Sequence, residues 1–253
     1  MAAAHPPVAL VTGASRGIGR AIALRLAARG VRIAVHYHRN RAAARSTLAA
    51  LPGRGHALFA ADLTVPAAAE ALVAGVLRAF GRIDVLVNNA GIYEIHPPAE
   101  IDFPEWRRLW DRTLAANLSA PAHLSFLAAR AMRRHRGGRI VNVSSRGAFR
   151  GEPRAPAYGA TKAGLNALGQ SLARALASAR ILVFTLAPGW VDTDMAAEHL
   201  KGRRGAAIVR EIPLGRVATA DEVAAAVAWL ALDAPESMTG CIVDLNGASY
   251  LRT

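Results

Sequence analysis

Tyr158 and Lys162 stand four residues apart in the run Tyr158-Gly159-Ala160-Thr161-Lys162. On a helix an i, i+4 pair shares one face, so a phenol and an ammonium can meet in one site. A tyrosine pKa is ordinarily about 10, and a nearby cation favours the phenolate. Lys162 is therefore expected to draw Tyr158 toward working pH, where proton transfer is most effective. Ser145 closes an apolar run at 140–143, and its hydroxyl can donate to an oxygen held beside Tyr158. Ser144, its neighbour, is read as structural. Together these groups suit the reduction of a ketone, which needs a hydride donor, a proton donor and something to hold the carbonyl oxygen. Asn117 lies inside a helical stretch, where asparagine is not favoured, so a buried polar role is expected for it.

A hydride donor needs a binding site, and the chain opens on a candidate. A first apolar run, 8–11, leads into Thr12-Gly13-Ala14-Ser15-Arg16-Gly17-Ile18-Gly19, after which a helix begins. Glycine is required where the backbone turns tightly, approaches a phosphate or lets helix and strand touch. The following helix N-terminus offers free N–H groups and a positive dipole end to an anion. The second run ends at His36-Tyr37-His38-Arg39, near where an adenosine ribose would lie. A 2′-hydroxyl is met by Asp or Glu, a 2′-phosphate by arginine. No Asp or Glu occurs before Asp62, while Arg16 and Arg39 can approach a 2′-phosphate. The expected cofactor is NADP(H), with His38 and Arg39 at its adenosine end. The alternative is that Arg39 and Arg41 are solvated residues at a helix start.

The elements that must position these groups follow one rhythm. Apolar runs at 8–11, 31–36, 57–60, 85–87, 140–143, 181–186 and 241–245 alternate with helical stretches at 18–29, 66–80, 104–116, 118–135, 157–178 and 219–232. That is the pattern of an α/β doubly wound domain, a seven-stranded, mostly parallel sheet with helices on both faces. A single domain over 1–253 is expected. The stretch 196–213 breaks the rhythm with no strand on either side, and a candidate substrate lid is set at 194–213.

The spacing Gly-x-x-x-Gly-x-Gly differs from the general dinucleotide fingerprint. It resembles the loop of the short-chain dehydrogenase/reductase family, and the likeness extends from Val8 to Tyr250. The resemblance implies an adenine-edge contact at Asp62 and Leu63. It matches Asn88-Asn89-Ala90-Gly91 to a cofactor-side motif, which brings in Asn89, Ala90 and Gly91. It matches Pro188-Gly189-Trp190-Val191-Asp192-Thr193 to the loop that holds the nicotinamide carboxamide, which brings in Pro188, Gly189, Val191 and Thr193. It implies that Asn117, Ser145, Tyr158 and Lys162 form a catalytic tetrad, a backbone carbonyl at Asn117 holding a water that relays protons through Lys162. Tyr158 and Lys162 also touch the cofactor. The family's acidic ribose residue would fall at Tyr37. Phe184 and Ala248 depart from the pattern, replacing a commonly polar residue and a frequent glycine.

The whole run is most similar to β-ketoacyl-acyl-carrier-protein reductases, which implies a 3-oxoacyl thioester substrate, a possible acidic carrier-protein partner and a homotetramer. Sugars, steroids, quinones and diketones are the alternatives, as is an inactive NADP(H)-binding regulatory protein. Arg130, Arg133, Arg134, Arg136 and Arg174 are a candidate docking surface for an acidic carrier, or else solvated helix ends. The formal net charge is +13, yet only Lys162 and Lys201 are lysines. This points to compositional bias, and neither nucleic-acid nor membrane binding is expected. The histidines show no zinc spacing, so no metal is expected. The one cysteine, Cys241, reads as a buried small hydrophobe. A cytoplasmic location is expected.

Overall fold

Strands buried on both faces read as continuous apolar runs; five such strands make the centre of the sheet here, and two half-buried ones, at 57–60 and 242–245, form its edges. The structure, a computed structural model, describes residues 6–135, 137–194 and 196–252. The first half of the chain gives β1 (Val8–Val11), α1 (Gly17–Ala27), β2 (Arg32–Tyr37), α2 (Arg41–Ala50), β3 (Ala57–Ala60), α3 (Pro66–Phe80), β4 (Val85–Asn88), α4 (Phe103–Leu114) and α5 (Ala120–Met132). Then come β5 (Gly138–Val143), α6 (Gly147–Arg150), α7 (Pro156–Leu176), β6 (Ile181–Pro188), β7 (Val191–Asp192), α8 (Gly202–Arg210), β8 (Ala218–Thr219), α9 (Ala220–Leu232) and β9 (Ile242–Leu245).

The main sheet has the order β3-β2-β1-β4-β5-β6-β9, and all its neighbours are parallel. The order reverses at β1, which pairs with β2 on one side and β4 on the other. Such a reversal opens a crevice beyond the carboxyl ends of the strands. Side-chain alternation divides the core into two layers. Ala9 and Val11 pack with Ile22 and Leu26 of α1 and Val223 and Val227 of α9. Val8 and Leu10 turn the other way, against Leu72 and Val76 of α3 and Leu124 and Met132 of α5. Burying each of the larger side chains contributes about 1.5–3 kcal/mol.

Several expectations change. The interval after β2, not marked as a helical stretch although Arg41 reads as a residue at a helix start, holds α2, which begins at Arg41 and whose Asn40 cap accepts from the Ala43 N–H at 2.9 Å. Only Ala44 and Thr47 of α2 are buried, so it lacks the wide apolar stripe by which helices are recognised. The helices expected at 104–116 and 118–135 are continuous, α4 passing through a π-helical turn, Ala115–Ser119, into α5. The stretch read as having no strand on either side is bracketed by β7 and β8, which pair with each other at its base. Cys241 precedes β9 rather than opening it, and it is only half-buried. Phe184 is fully buried, with the Arg139 guanidinium 5.5 Å from its ring centre. Ala248 takes the left-handed conformation, φ +63°, that a glycine would adopt freely. Arg136 and Met195, included in the basic cluster and the lid, lie outside the described residues. No described helix is long and apolar enough to cross a membrane.

Candidate active site

The chain leaves β1 through two residues in the left-handed region, Gly13 at φ +63° and Gly17 at φ +53°. Gly19 is needed for another reason, since a Cβ there would run into the Gly13 carbonyl and the Asn89 amide. No side chain caps the first turn of α1 and no acidic residue stands in it. Its N–H groups and dipole therefore face the crevice open to an anion.

Two side chains lock this loop to the end of β4. Thr12 Oγ1 donates to the Val87 carbonyl at 3.1 Å and accepts from the N–H groups of Asn89 at 2.9 Å and Ala90 at 3.0 Å. Asn89 Nδ2 donates to the Thr12 carbonyl at 2.8 Å. Asn89 thus borders the site while its amide ties two loops together.

A third lock was not foreseen. The Gly13 N–H donates to His36 Nδ1 at 3.1 Å, so Nε2 carries the proton and donates to the Ala61 carbonyl at 3.1 Å. Burial pushes the His36 pKa down to about 4, which keeps the ring neutral. His38, two residues on, lies 3.3 Å from Asp62. Asp62 accepts from the Thr64 hydroxyl at 2.7 Å and is held below the usual carboxylate range, first by Thr64 and also by His38 and Arg39. Tyr37, which stands where the family's acidic ribose residue would fall, is buried and does not line the crevice, whereas His38, Arg39 and Asn40 do.

At the end of β5 the two serines divide. Ser144 Oγ donates to the Lys162 carbonyl at 3.2 Å, a structural contact, while Ser145 borders the crevice and accepts from the Gly147 N–H at 3.0 Å. Helix α7 begins with Pro156 and carries Tyr158 in its first turn. His96, fully buried, orients that turn: its Nε2 accepts from the Ala157 N–H at 3.0 Å, and its Nδ1–H donates to the Glu94 carbonyl at 2.8 Å. Nothing in the spacing of His96 announced this role.

Lys162 Nζ is buried and donates to the Val143 carbonyl at 2.8 Å. Burial pushes Lys162 down to about 8. Lys162 does not draw Tyr158 toward neutral pH as their spacing predicts: burial dominates and pushes the phenol up to about 12. Hydrogen bonding with Ser145 opposes that rise, and the negative field of Glu152 adds to it. The ammonium is anchored on β5 and lies 5.6 Å from the centre of the Tyr158 ring.

Asn117 sits in the π-helical turn, 1% exposed. Its Oδ1 accepts from the Ile92 N–H at 2.8 Å and its Nδ2 donates to the Ile92 carbonyl at 2.9 Å. It stands behind the crevice and fixes the loop after Gly91.

One cavity of about 870 Å³ unites these groups. Every residue expected in the site lines it except Asn117. The loop after β6 forms one wall, with the Gly189 N–H bonded to the Leu245 carbonyl at 2.9 Å. The glycine loop, uncapped helix end and Arg16 at one side suit a dinucleotide phosphate, so the residues present fit the expected cofactor. Three residues of 194–213, namely Asp194, Ala196 and His199, also line the cavity. Tyr93, Glu152 and Trp190 complete the end nearest Tyr158. Among the described residues no group of three His, Cys, Asp or Glu could hold a metal ion.

The candidate carrier-protein surface is elsewhere. Arg133 and Arg134 follow α5 and adjoin the amino ends of the strands, opposite the cavity. Arg174 is 16 residues beyond Tyr158 on α7, roughly 24 Å along the helix axis. These arginines are exposed, as solvated helix ends would be, and do not flank the cavity.

A family model described as enoyl-(acyl carrier protein) reductase matches residues 13–247. The 3-oxoacyl-(acyl-carrier-protein) reductase of Escherichia coli (strain K12) is 40% identical over 245 residues, covering 96% of this chain and 97% of that protein. The chain belongs to the short-chain dehydrogenase/reductase family. The corresponding reductase of Staphylococcus aureus (strain Mu50) is 38% identical, with 96% and 98% covered. A solved structure from Sinorhizobium meliloti 1021, described as a short-chain alcohol dehydrogenase, superposes with a TM-score of 0.89 at 32% identity, covering 96% of each chain. Members of this family are oxidoreductases, and the parallel sheet with its crevice at β1 and β4 is the family's Rossmann-like fold.

Proposed function

We propose that this short-chain dehydrogenase/reductase reduces a ketone to a secondary alcohol with NADPH, Tyr158 giving the proton. The observation that carries this reading is the convergence of Ser145, Tyr158 and Lys162 on one wall of the cavity that also contains the glycine loop. When bound, NADPH supplies the hydride. Ser145 and Tyr158 hold the carbonyl oxygen between two hydroxyl donors. With its pKa raised, Tyr158 is protonated at neutral pH, the state a proton donor requires. The N-terminus of α7 and the ammonium of Lys162 favour the phenolate left after transfer. Asn117 keeps the loop after Gly91 in place, and a backbone carbonyl of its π-helical turn holds a water that passes protons to Lys162.

NADPH is preferred to NADH because Arg16 and Arg39 border the adenosine end and no acidic residue precedes Asp62 in the sequence. The substrate class is a 3-oxoacyl thioester, on the strength of what the E. coli and S. aureus relatives are named for. The segment 194–213 covers the substrate end as a lid. The active form is a cytoplasmic homotetramer.

Purified protein, an acetoacetyl thioester and NADPH or NADH test the reading together. Turnover at least tenfold faster with NADPH is expected. Tight NADPH binding without turnover of any ketone would favour a regulatory nucleotide-binding protein instead.

A further inference from the structure

Glu152 lies between the loop that carries Ser145 and the first turn of α7. Its carboxylate folds over Gly147, where even a Cβ would collide with Oε1. Its backbone nitrogen is 3.5 Å from where a Cβ on Gly159 would stand. The side chain is thus wedged between the serine loop and the tyrosine helix, and it lines the cavity.

This carboxylate is poorly satisfied by the protein. Among the described residues its carboxylate has one hydrogen bond, from the Tyr93 hydroxyl at 3.5 Å, the outer limit of such a contact. A carboxylate can accept about four. Among the described residues it forms no ion pair. Arg146 donates to Ser249 Oγ at 2.8 Å, and Arg150 pairs with Glu211 at 3.4 Å. Burial accordingly pushes the Glu152 carboxyl above its ordinary range. Around it the wall is aromatic: the Tyr93 ring meets the Tyr158 ring edge-on at 4.9 Å, and His199 lies 5.8 Å from Tyr93 and 5.6 Å from Trp190.

An acceptor with vacant lone pairs beside the reacting centre discriminates between groups that can and cannot donate to it. We infer that Glu152 is a specificity-determining residue, selecting a ketone with a hydroxyl on the carbon next to the carbonyl over one with a methyl there. The hydroxyl hydrogen bonds to the carboxylate, whereas a methyl strips water from it and returns nothing. The inference rests on the ketone-reductase reading and concerns which ketone that site takes.

Two matched pairs test it. The first is the N-acetylcysteamine thioesters of 4-hydroxy-3-oxobutanoic and 3-oxopentanoic acids, which differ by hydroxyl for methyl. The second is hydroxyacetone and butanone, which differ in the same way without a thioester. In each pair that turns over, kcat/KM is expected to favour the hydroxyl compound by about tenfold or more, the scale of a charge-assisted hydrogen bond. In Glu152→Gln that preference should fall below about threefold. Equal kcat/KM within a productive pair, or an unchanged preference in Glu152→Gln, overturns the inference and leaves the thioester reading intact. Preference for hydroxyacetone with neither thioester reduced supports the inference and removes the thioester reading. No reduction of any of the four overturns both. Equal rates in the wild type overturn the inference even if Glu152→Gln does not fold, and Glu152→Asp, which keeps the charge and withdraws it by one methylene, then serves as the second variant, its preference expected to fall as well.

Discussion

Lys162 Nζ lies 2.8 Å from the Val143 carbonyl oxygen and 5.6 Å from the centre of the Tyr158 ring. The ammonium is therefore anchored to the last residue of β5 while it faces the phenol one helical turn away. In the proposed reaction this arrangement ties the proton donor to the sheet edge where Ser145 would hold the carbonyl. Replacing Tyr158 by Phe removes the proton and keeps the ring. Turnover should fall by about 10²–10⁴-fold, the range of general-acid catalysis, while NADPH affinity changes little. Steady-state rates beside NADPH fluorescence titration would check this, and wild-type turnover in the variant would refute the assignment.

Arg39 borders the adenosine end of the cavity near the His38–Asp62 pair. Placing a carboxylate there should repel a 2′-phosphate and accept a 2′-hydroxyl. Arg39→Asp is expected to weaken NADPH binding by about 10–100-fold and to improve NADH use. Coenzyme KM values for both nucleotides give the answer, and an unchanged ratio would put Arg39 outside the site.

His36 makes stability depend on pH. Its folded pKa, about 4, lies below the ordinary 6.5 because it is buried neutral between Gly13 and Ala61. The unfolded chain then binds the proton more readily. Its contribution is complete above pH 6.5, declines as pH falls and is gone near pH 4. Between pH 7 and pH 5 the loss should be about 2 kcal/mol. Urea unfolding at both values should show this slope in the wild type and a shallower one in His36→Gln.

Ala248 occupies a left-handed conformation that costs an alanine roughly 1–2 kcal/mol. Ala248→Gly should therefore raise stability, by about 0.5–1 kcal/mol once the greater freedom of the unfolded glycine is counted. A lower thermal midpoint in the variant would contradict the backbone argument.

The five inner strands were legible because both their faces are buried, which leaves apolar runs, and the edge strands β3 and β9, only half-buried, kept enough apolar residues to be read the same way. The motifs were legible because each follows a strand end. Tyr158 and Lys162 could be paired from spacing alone, since a helix fixes the geometry of residues four apart. The sign of the resulting pKa shift could not, because it depends on how deeply the phenol is buried. Helix α2 escaped notice because alanine and threonine are its only buried residues. The stretches 91–98 and 146–154 were expected to supply substrate contacts, but the particular roles of His96 and Glu152 within them were not legible, for a different reason. His96 meets Ala157 across 61 residues, and Glu152 meets Tyr93 across 59, distances over which one sequence carries no signal.

The partners of the loop after β6 bear on how the chain is made. Gly189 is held by the Leu245 carbonyl and packs on Asn246, and Arg146 of the serine loop donates to Ser249. The phosphate loop, by contrast, is locked by Thr12, His36 and Asn89, all synthesised early. The hydrogen bonds that lock the phosphate loop therefore need only residues 12–90, although α1 still waits for α9 to cover its other face. On the ribosome the locks of the phosphate loop can form before those of the loop after β6, whose partners are among the last residues synthesised.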